Sequence, residues 1–251
     1  MNKKILISTG GSGGHVVPAT ILYHHLKDLN EVSMTCDNRG LKFLNQKDYD
    51  LTIFNINPFK VNFFLLPLNI FKILVLTIKS LIFLKKNKTE VLISTGGYMS
   101  LPLCFASRLL NIKLYLFEPN IVIGRSNKLF LKYCKKIFCY SEKIKNFPKN
   151  LKNKIEIIPP LLRKKFYEIN KTKTINDQIK LLVIGGSQGA KIFDTLIKNS
   201  IVKLSKKYKF KVYQQSNINN FTSIKKTYQE NKIDYEWFEY SEDVSIGLLY
   251  T

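Results

Sequence analysis

Apolar residues along this chain gather into short unbroken runs instead of alternating with polar ones. Such runs occupy 5–7, 91–93 and 181–184, and mixed apolar stretches lie at 31–36, 113–117, 135–140, 155–158, 210–213 and 235–238. A short run without alternation is the pattern of a strand covered on both faces, the setting of a parallel sheet. Between the runs lie segments with helix-like apolar spacing: one ends at Leu26, one spans 101–110, one reaches about Lys206, and one lies between 213 and 235. Strand and helix therefore alternate, and the predicted fold class is α/β with doubly wound parallel sheets. Residues 164–178 are polar and without period, which marks a linker. The expected organisation is a first domain over 1–163 with about six strands, a linker over 164–178, and a second α/β unit over 179–251 with about three strands.

The segment 63–84 breaks this rhythm. It is nearly all apolar and long enough to span a bilayer, but Pro67, Asn69, Lys72 and Lys79 interrupt it. Lys72, Lys79 and Lys86 recur at a seven-residue interval, so a helix sets them along one side, while Ile70, Phe71, Ile73, Leu74, Leu81 and Phe83 cover much of the rest. Two readings follow. One is a helix lying in a membrane interface; the other is a core-packing helix with a solvated lysine edge. One helix can do both. The flanking βα pattern leaves no place for an element that spans the lipid.

Composition changes the picture in two places. A net charge of +22 ordinarily calls for an acidic partner or surface. Yet only Arg39, Arg108, Arg125 and Arg163 are arginine, the other basic residues are all lysine, and Asn and Ile are abundant, the bias of an AT-rich coding sequence. A nucleic-acid site would favour arginine forks, and no RNA- or DNA-binding motif is present, so nucleic acid is not an expected partner. An anionic membrane surface is. Cys36, Cys104, Cys134 and Cys139 form no Cys-x-x-Cys pair and sit mostly in apolar runs, as buried reduced thiols of a cytosolic protein do. No metal site and no cofactor are expected. Met1-Asn2-Lys3-Lys4 leads straight into the first strand, so no signal peptide is read there.

The candidate chemistry lies in glycine loops. The first strand runs into Ser8-Thr9-Gly10-Gly11-Ser12-Gly13-Gly14-His15, with Pro18 near the first turn of the helix that follows. Strand, glycine loop and helix start aim free backbone N–H groups and the positive end of the helix dipole at one point, an anion site. The spacing is not Gly-x-Gly-x-x-Gly, and no Gly-Lys-Ser/Thr follows, so neither a dinucleotide fingerprint nor a P-loop is present. Ile7-Ser8-Thr9-Gly10-Gly11 recurs identically as Ile93-Ser94-Thr95-Gly96-Gly97, and a third loop is Gly185-Gly186-Ser187-Gln188-Gly189-Ala190.

These three loops, with His15, Pro18-Ala19 and Tyr98-Met99-Ser100-Leu101-Pro102 in place, resemble those of the MurG family, in order and across essentially the whole chain. The resemblance implies a GT-B architecture, two Rossmann-like domains facing a cleft, the second incomplete. It implies an inverting, metal-free transfer of N-acetylglucosamine from UDP-GlcNAc to undecaprenyl-diphospho-muramoyl-pentapeptide, by a protein peripheral at the inner face of the bacterial cytoplasmic membrane. By resemblance, Ser12, Gly13, Gly14, Asn120, Arg163, Ser187, Gln188 and Ser241 serve the UDP-GlcNAc site, and Gly96, Gly97 and Tyr98 the acceptor diphosphate. Two departures stand out: Phe117-Glu118-Pro119-Asn120 replaces His-Glu-Gln-Asn, and Pro159-Pro160-Leu161-Leu162-Arg163 replaces Gly-Asn-Pro-Val-Arg.

Such a displacement needs a base for the acceptor hydroxyl and donors for the departing phosphates. His15 is a candidate base, since the helix start favours a neutral ring able to accept a proton; equally, it reads as a structural donor that orients the loop. Glu118 is the alternative base, or a hydrogen-bond partner of the acceptor. His24 and His25, inside the helix, read as packing or surface residues. Residues 246–251 read as a helix opening with no stop signal, so a partial reading frame is expected. Two rivals remain: a nucleotide- or NAD-binding α/β protein using Asp37 on ribose, and a non-catalytic membrane-docking half of a split transferase.

Overall fold

A computed structural model of the chain describes residues 2–54, 66–164, 178–185 and 192–239. It separates into two compact units, Met1–Lys164 and Lys165–Thr251. The linker expected beyond 164 and the start of the apolar segment at 63–65 lie outside the described residues.

In the first unit the apolar runs become strands β1 (Lys4–Ser8), β2 (Glu31–Cys36), β3 (Leu51–Ile53), β4 (Val91–Ser94), β5 (Lys113–Glu118), β6 (Lys136–Cys139) and β7 (Ile155–Ile157). They form one sheet in the order β3-β2-β1-β4-β5-β6-β7, every neighbouring pair parallel. The strand beyond the expected six is β3. It is an edge strand of three residues, none of them buried, so no apolar run announces it.

Successive side chains of a strand point to opposite faces, and β1 feeds two cores. Leu6 packs with Leu84, Leu92, Leu103, Leu116, Phe130 and Ile137 on one face. Ile5 and Ile7 pack with Val16, Met34 and Ile93 on the other. Burying each such side chain contributes about 1.5–3 kcal/mol, and this double covering is why the runs do not alternate. Helices α1 (Gly13–Leu26), α2 (Leu66–Lys86), α3 (Ser100–Leu109) and α4 (Arg125–Phe130) supply the cover.

The two readings of the apolar segment meet on α2. Thr77, Ser80 and Leu84 are buried on the side that packs against α3. Ile70, Phe71, Leu74, Ile78 and Ile82 are at least half exposed on the outer side, with Lys72, Lys79 and Lys86 also exposed. Among the described residues, no helix is long and apolar enough to cross a membrane.

The second unit contains β8 (Ile179–Val183), β9 (Phe210–Gln215) and β10 (Asp234–Phe238), parallel in the order β10-β9-β8. A π-helical turn over Phe193–Ile197 runs into α5 (Lys198–Ser205), and α6 (Ile218–Glu230) precedes β10. Val183, Ile201, Phe210, Val212, Ile224 and Tyr228 make its core. All four cysteines, in the first unit, are buried and unpaired. Burial pushes the thiols of Cys36, Cys104 and Cys139 up to about 12.

Candidate active site

The repeated pentapeptide is a spatial repeat. β1 and β4 are hydrogen-bonded neighbours, with Ile7 opposite Ile93 and Ser8 opposite Ser94. The two Thr-Gly-Gly turns therefore leave the sheet side by side, where strand order reverses direction. That switch point is where open α/β sheets hold ligands. The turns are tied together: the Thr95 N–H donates to the Ser8 carbonyl (3.1 Å) and the Thr95 hydroxyl to Thr9 Oγ1 (2.8 Å).

The first turn differs from its sequence reading in one respect. Helix α1 begins at Gly13, so Pro18 sits in the second turn and not the first. Proline has no N–H, and the Gly14 carbonyl four residues earlier loses its intrahelical partner. The early start puts Gly13, Gly14 and His15 in the first turn. The Ser12 carbonyl accepts from His15 N–H (3.0 Å) and Val16 N–H (3.1 Å). The N–H groups of Gly13 and Gly14 meet no acceptor among the described residues, and Ser12 and Gly14 are exposed. Two donors at the positive end of a helix suit an anion.

His15 joins the two loops. Its Nδ1 lies 2.7 Å from the Thr95 carbonyl oxygen. A carbonyl only accepts, so Nδ1 carries a hydrogen, and in the neutral ring Nε2 is the acceptor. Gly96 and Gly97 adopt φ +93° and +85°, open to glycine but strained for other residues. A Cβ on Gly96 would stand 3.3 Å from His15 Cε1 and 3.5 Å from Asn127 Nδ2. The ring thus lies against the second loop, and Nε2 has no partner among the described residues. Tyr98 follows directly and is about one-third exposed (37%).

Glu118, at the end of β5, is buried, and four N–H donors converge on its carboxylate. Oε1 accepts from the Asn120 backbone (3.3 Å) and side-chain Nδ2 (2.9 Å). Oε2 accepts from Gly124 N–H (2.7 Å) and Asn127 Nδ2 (3.0 Å). The carboxylate folds the loop from Asn120 to α4 and leaves Asn120 exposed at its edge. Asn127 was missed by sequence reasoning. Its Nδ2 also donates to the Phe117 carbonyl (3.0 Å), and its buried Oδ1 has no partner among the described residues. Phe117, where the resembled family has histidine, is buried edge-on against Tyr140 at 5.6 Å between ring centroids. Apolar packing stands where the resembled family has a polar ring, and the Glu118–Asn120 contact is made beside it.

Asp37, the ribose candidate of the dinucleotide reading, is instead a tie on the first loop. Oδ1 accepts from Gly11 N–H (2.7 Å) and Gly40 N–H (3.0 Å), and Oδ2 from Arg39 Nε (2.8 Å) and Nη2 (2.7 Å). Buried and occupied by four donors, it has no lone pair facing a ligand. Arg163 is not brought to these loops. Its neighbours lie at the other end of α1: Leu162 offers its carbonyl to His25 (2.9 Å) and Lys164 pairs with Asp28. That end is roughly 20 Å of helix away from Gly13. Ser187, Gln188 and Ser241 lie outside the described residues. Of the third loop, Gly185 N–H donates to the buried Gln215 side chain (3.2 Å).

Comparison with known proteins bears on the family and the fold. The sequence matches the "Glycosyltransferase family 28 N-terminal domain" over residues 5–139 and the "Glycosyltransferase family 28 C-terminal domain" over 180–246. It is 60% identical over 244 residues to the UDP-N-acetylglucosamine–N-acetylmuramyl-(pentapeptide) pyrophosphoryl-undecaprenol N-acetylglucosamine transferase of Pelagibacter ubique, covering 97% of this chain and 68% of that protein. The protein of the same name from Rickettsia felis is 31% identical, with 97% and 70% covered. The crystal structure of Acinetobacter baumannii MurG shares the fold at a TM-score of 0.69 and 22% identity, over 98% of this chain and 68% of that one. Adjacent glycine turns on a parallel sheet, a second α/β unit and these matches agree: the chain belongs to the MurG family of GT-B glycosyltransferases, within glycosyltransferase family 28.

Proposed function

We propose that the chain transfers N-acetylglucosamine from UDP-GlcNAc to a muramyl-pentapeptide carried on undecaprenyl diphosphate, with inversion at the anomeric carbon. The observation that carries this reading is the placement of His15 against the second loop. Its Nδ1–H is committed to the Thr95 carbonyl at 2.7 Å, and Nε2 is left as an acceptor between the two loops. In the proposed step Nε2 takes the proton of the acceptor hydroxyl while that oxygen attacks the anomeric carbon, and the bond to the UDP oxygen breaks. A positioned base of this kind contributes typically 10²–10⁴-fold.

The remaining residues take roles by their surroundings. Gly96, Gly97 and Tyr98 face the acceptor diphosphate, and the free N–H groups of Gly13 and Gly14 serve the anion at the start of α1. Ser12 closes over the donor from the same loop. Glu118, with all four of its contacts used, is a positioning residue that holds Asn120 toward the donor sugar. Ser187, Gln188 and Ser241 serve the donor by their place in the family pattern, as does Arg163, which lies away from the glycine loops of the first unit. The protein docks at an anionic membrane face through the outer side of α2, where exposed Ile70, Phe71, Leu74 and Ile78 lie beside Lys72 and Lys79. This puts the lipid-linked acceptor and its enzyme on one surface.

The test is transfer by the chain itself. Incubated with radiolabelled UDP-GlcNAc and the lipid-linked muramyl-pentapeptide in detergent micelles, it is expected to yield a labelled glycolipid with a β-glycosidic linkage. No labelled lipid, or one with a retained α-linkage, overturns the proposal.

A further inference from the structure

Of the chain's few arginines, two use their planar fork in the structure. Arg108 is one: its guanidinium lies 3.4 Å over the Tyr133 ring. Arg39 is another, and it stands against the first glycine loop from the end of β2. Its Nε and Nη2 both donate to Asp37 Oδ2, at 2.8 and 2.7 Å. The other oxygen of the same carboxylate takes the Gly11 N–H at 2.7 Å. One buried side chain therefore fixes the guanidinium and the loop relative to each other. Arg39 Nη2 lies 3.6 Å from where a Cβ on Gly11 would stand, so the fork lies directly against the loop. Its side chain is 43% exposed, and its remaining N–H groups meet no acceptor among the described residues.

We propose that Arg39 is a further substrate-binding residue, which presents these free N–H groups to one phosphate of the acceptor diphosphate. The inference rests on the acceptor reading of the glycine loops above. Asp37 holds the fork in place, so little side-chain freedom is lost on binding. The four N–H donors around Asp37 offset its negative charge. Oxygens of a phosphate match that fork. The first loop, against which the fork lies, is tied through Thr9 to Thr95 of the second loop, whose Gly96, Gly97 and Tyr98 carry the acceptor reading.

Calorimetric titration of the full chain with farnesyl diphosphate, inorganic pyrophosphate and UDP tests this, with a thermal melt of each variant alongside. Arg39→Gln is expected to weaken farnesyl diphosphate roughly tenfold or more, the loss of a hydrogen bond to a charged group, and to leave UDP unchanged. Arg39→Lys keeps a cation on Asp37 but not the fork, and is expected to fall between the two. This second variant keeps the test decisive if Arg39→Gln melts early. Both variants binding farnesyl diphosphate as tightly as the wild type, or a loss confined to UDP, would overturn the role of Arg39 and leave the acceptor reading standing. A wild-type chain that binds neither farnesyl diphosphate nor pyrophosphate overturns both.

Discussion

Glu118→Gln separates a scaffold carboxylate from a reacting one. Both oxygens of Glu118 are acceptors, each for two N–H groups at 2.7–3.3 Å. A glutamine amide accepts on one side only. If its oxygen faces Asn120, its NH₂ faces the N–H groups of Gly124 and Asn127. Two hydrogen bonds to a charged group are then lost, each contributing about 1.5–3 kcal/mol. Asn127 keeps its bond to the Phe117 carbonyl, so Gly124 N–H is the donor left without a partner. Relief from burying a charge offsets part of the loss, leaving about 2–4 kcal/mol net. In a unit the size of Met1–Lys164 that lowers the melting temperature by roughly 5–15 °C. Thermal melting by circular dichroism reads the shift, and amide hydrogen exchange reads the opening of the loop at Gly124. A variant that melts with the wild type, keeps Gly124 protected and still loses turnover would refute the scaffold role, because the carboxylate would then act on substrate directly.

Three other outcomes follow from the same geometry. Gly96→Ala places a Cβ 3.3 Å from the His15 ring at φ +93°; the backbone strain of about 1–2 kcal/mol should appear in the melt, and displacement of the ring should lower transfer about 10²-fold. Lys72→Gln with Lys79→Gln removes two charges that each contribute about 1 kcal/mol at an anionic surface, so sedimentation with anionic vesicles should weaken roughly 30-fold while zwitterionic vesicles show no change. The buried thiols of Cys36, Cys104 and Cys139, pushed up to about 12, stay protonated at neutral pH. All four cysteines should resist a thiol-disulfide reagent in the folded chain and react in urea. Unfolded thiols ionise near about 8.5, so this contribution to stability is complete below that pH and is lost as pH rises toward 12.

What the sequence disclosed and what it withheld follow from the range of the interactions. Strands β1, β4 and β5 are covered on both faces, and local apolar runs report that covering directly. β3 is a short edge strand with no buried residue, so nothing local marks it. The start of α1 was placed late because glycine is a poor helix former and Pro18 is a familiar start signal; the helix nonetheless begins at Gly13. The repeat of Ile-Ser-Thr-Gly-Gly was plain in the sequence, but only the β1–β4 pairing turns it into two loops clasping one histidine. Asp37 and Arg39 belong to the β2 end, and their contact with Gly11 has no periodic signature. Asn127 likewise acts through Glu118 and Phe117, both positioned by β5.

The most direct measurement is the transfer rate of His15→Gln beside its affinity for farnesyl diphosphate. Glutamine can still donate an N–H to the Thr95 carbonyl and hold the loops, but it has no basic nitrogen. Turnover is predicted to fall 10²–10⁴-fold with affinity changed by less than about threefold, a factor worth under 1 kcal/mol. Unchanged turnover, or turnover and affinity lost together, would contradict His15 as the base between the two glycine loops.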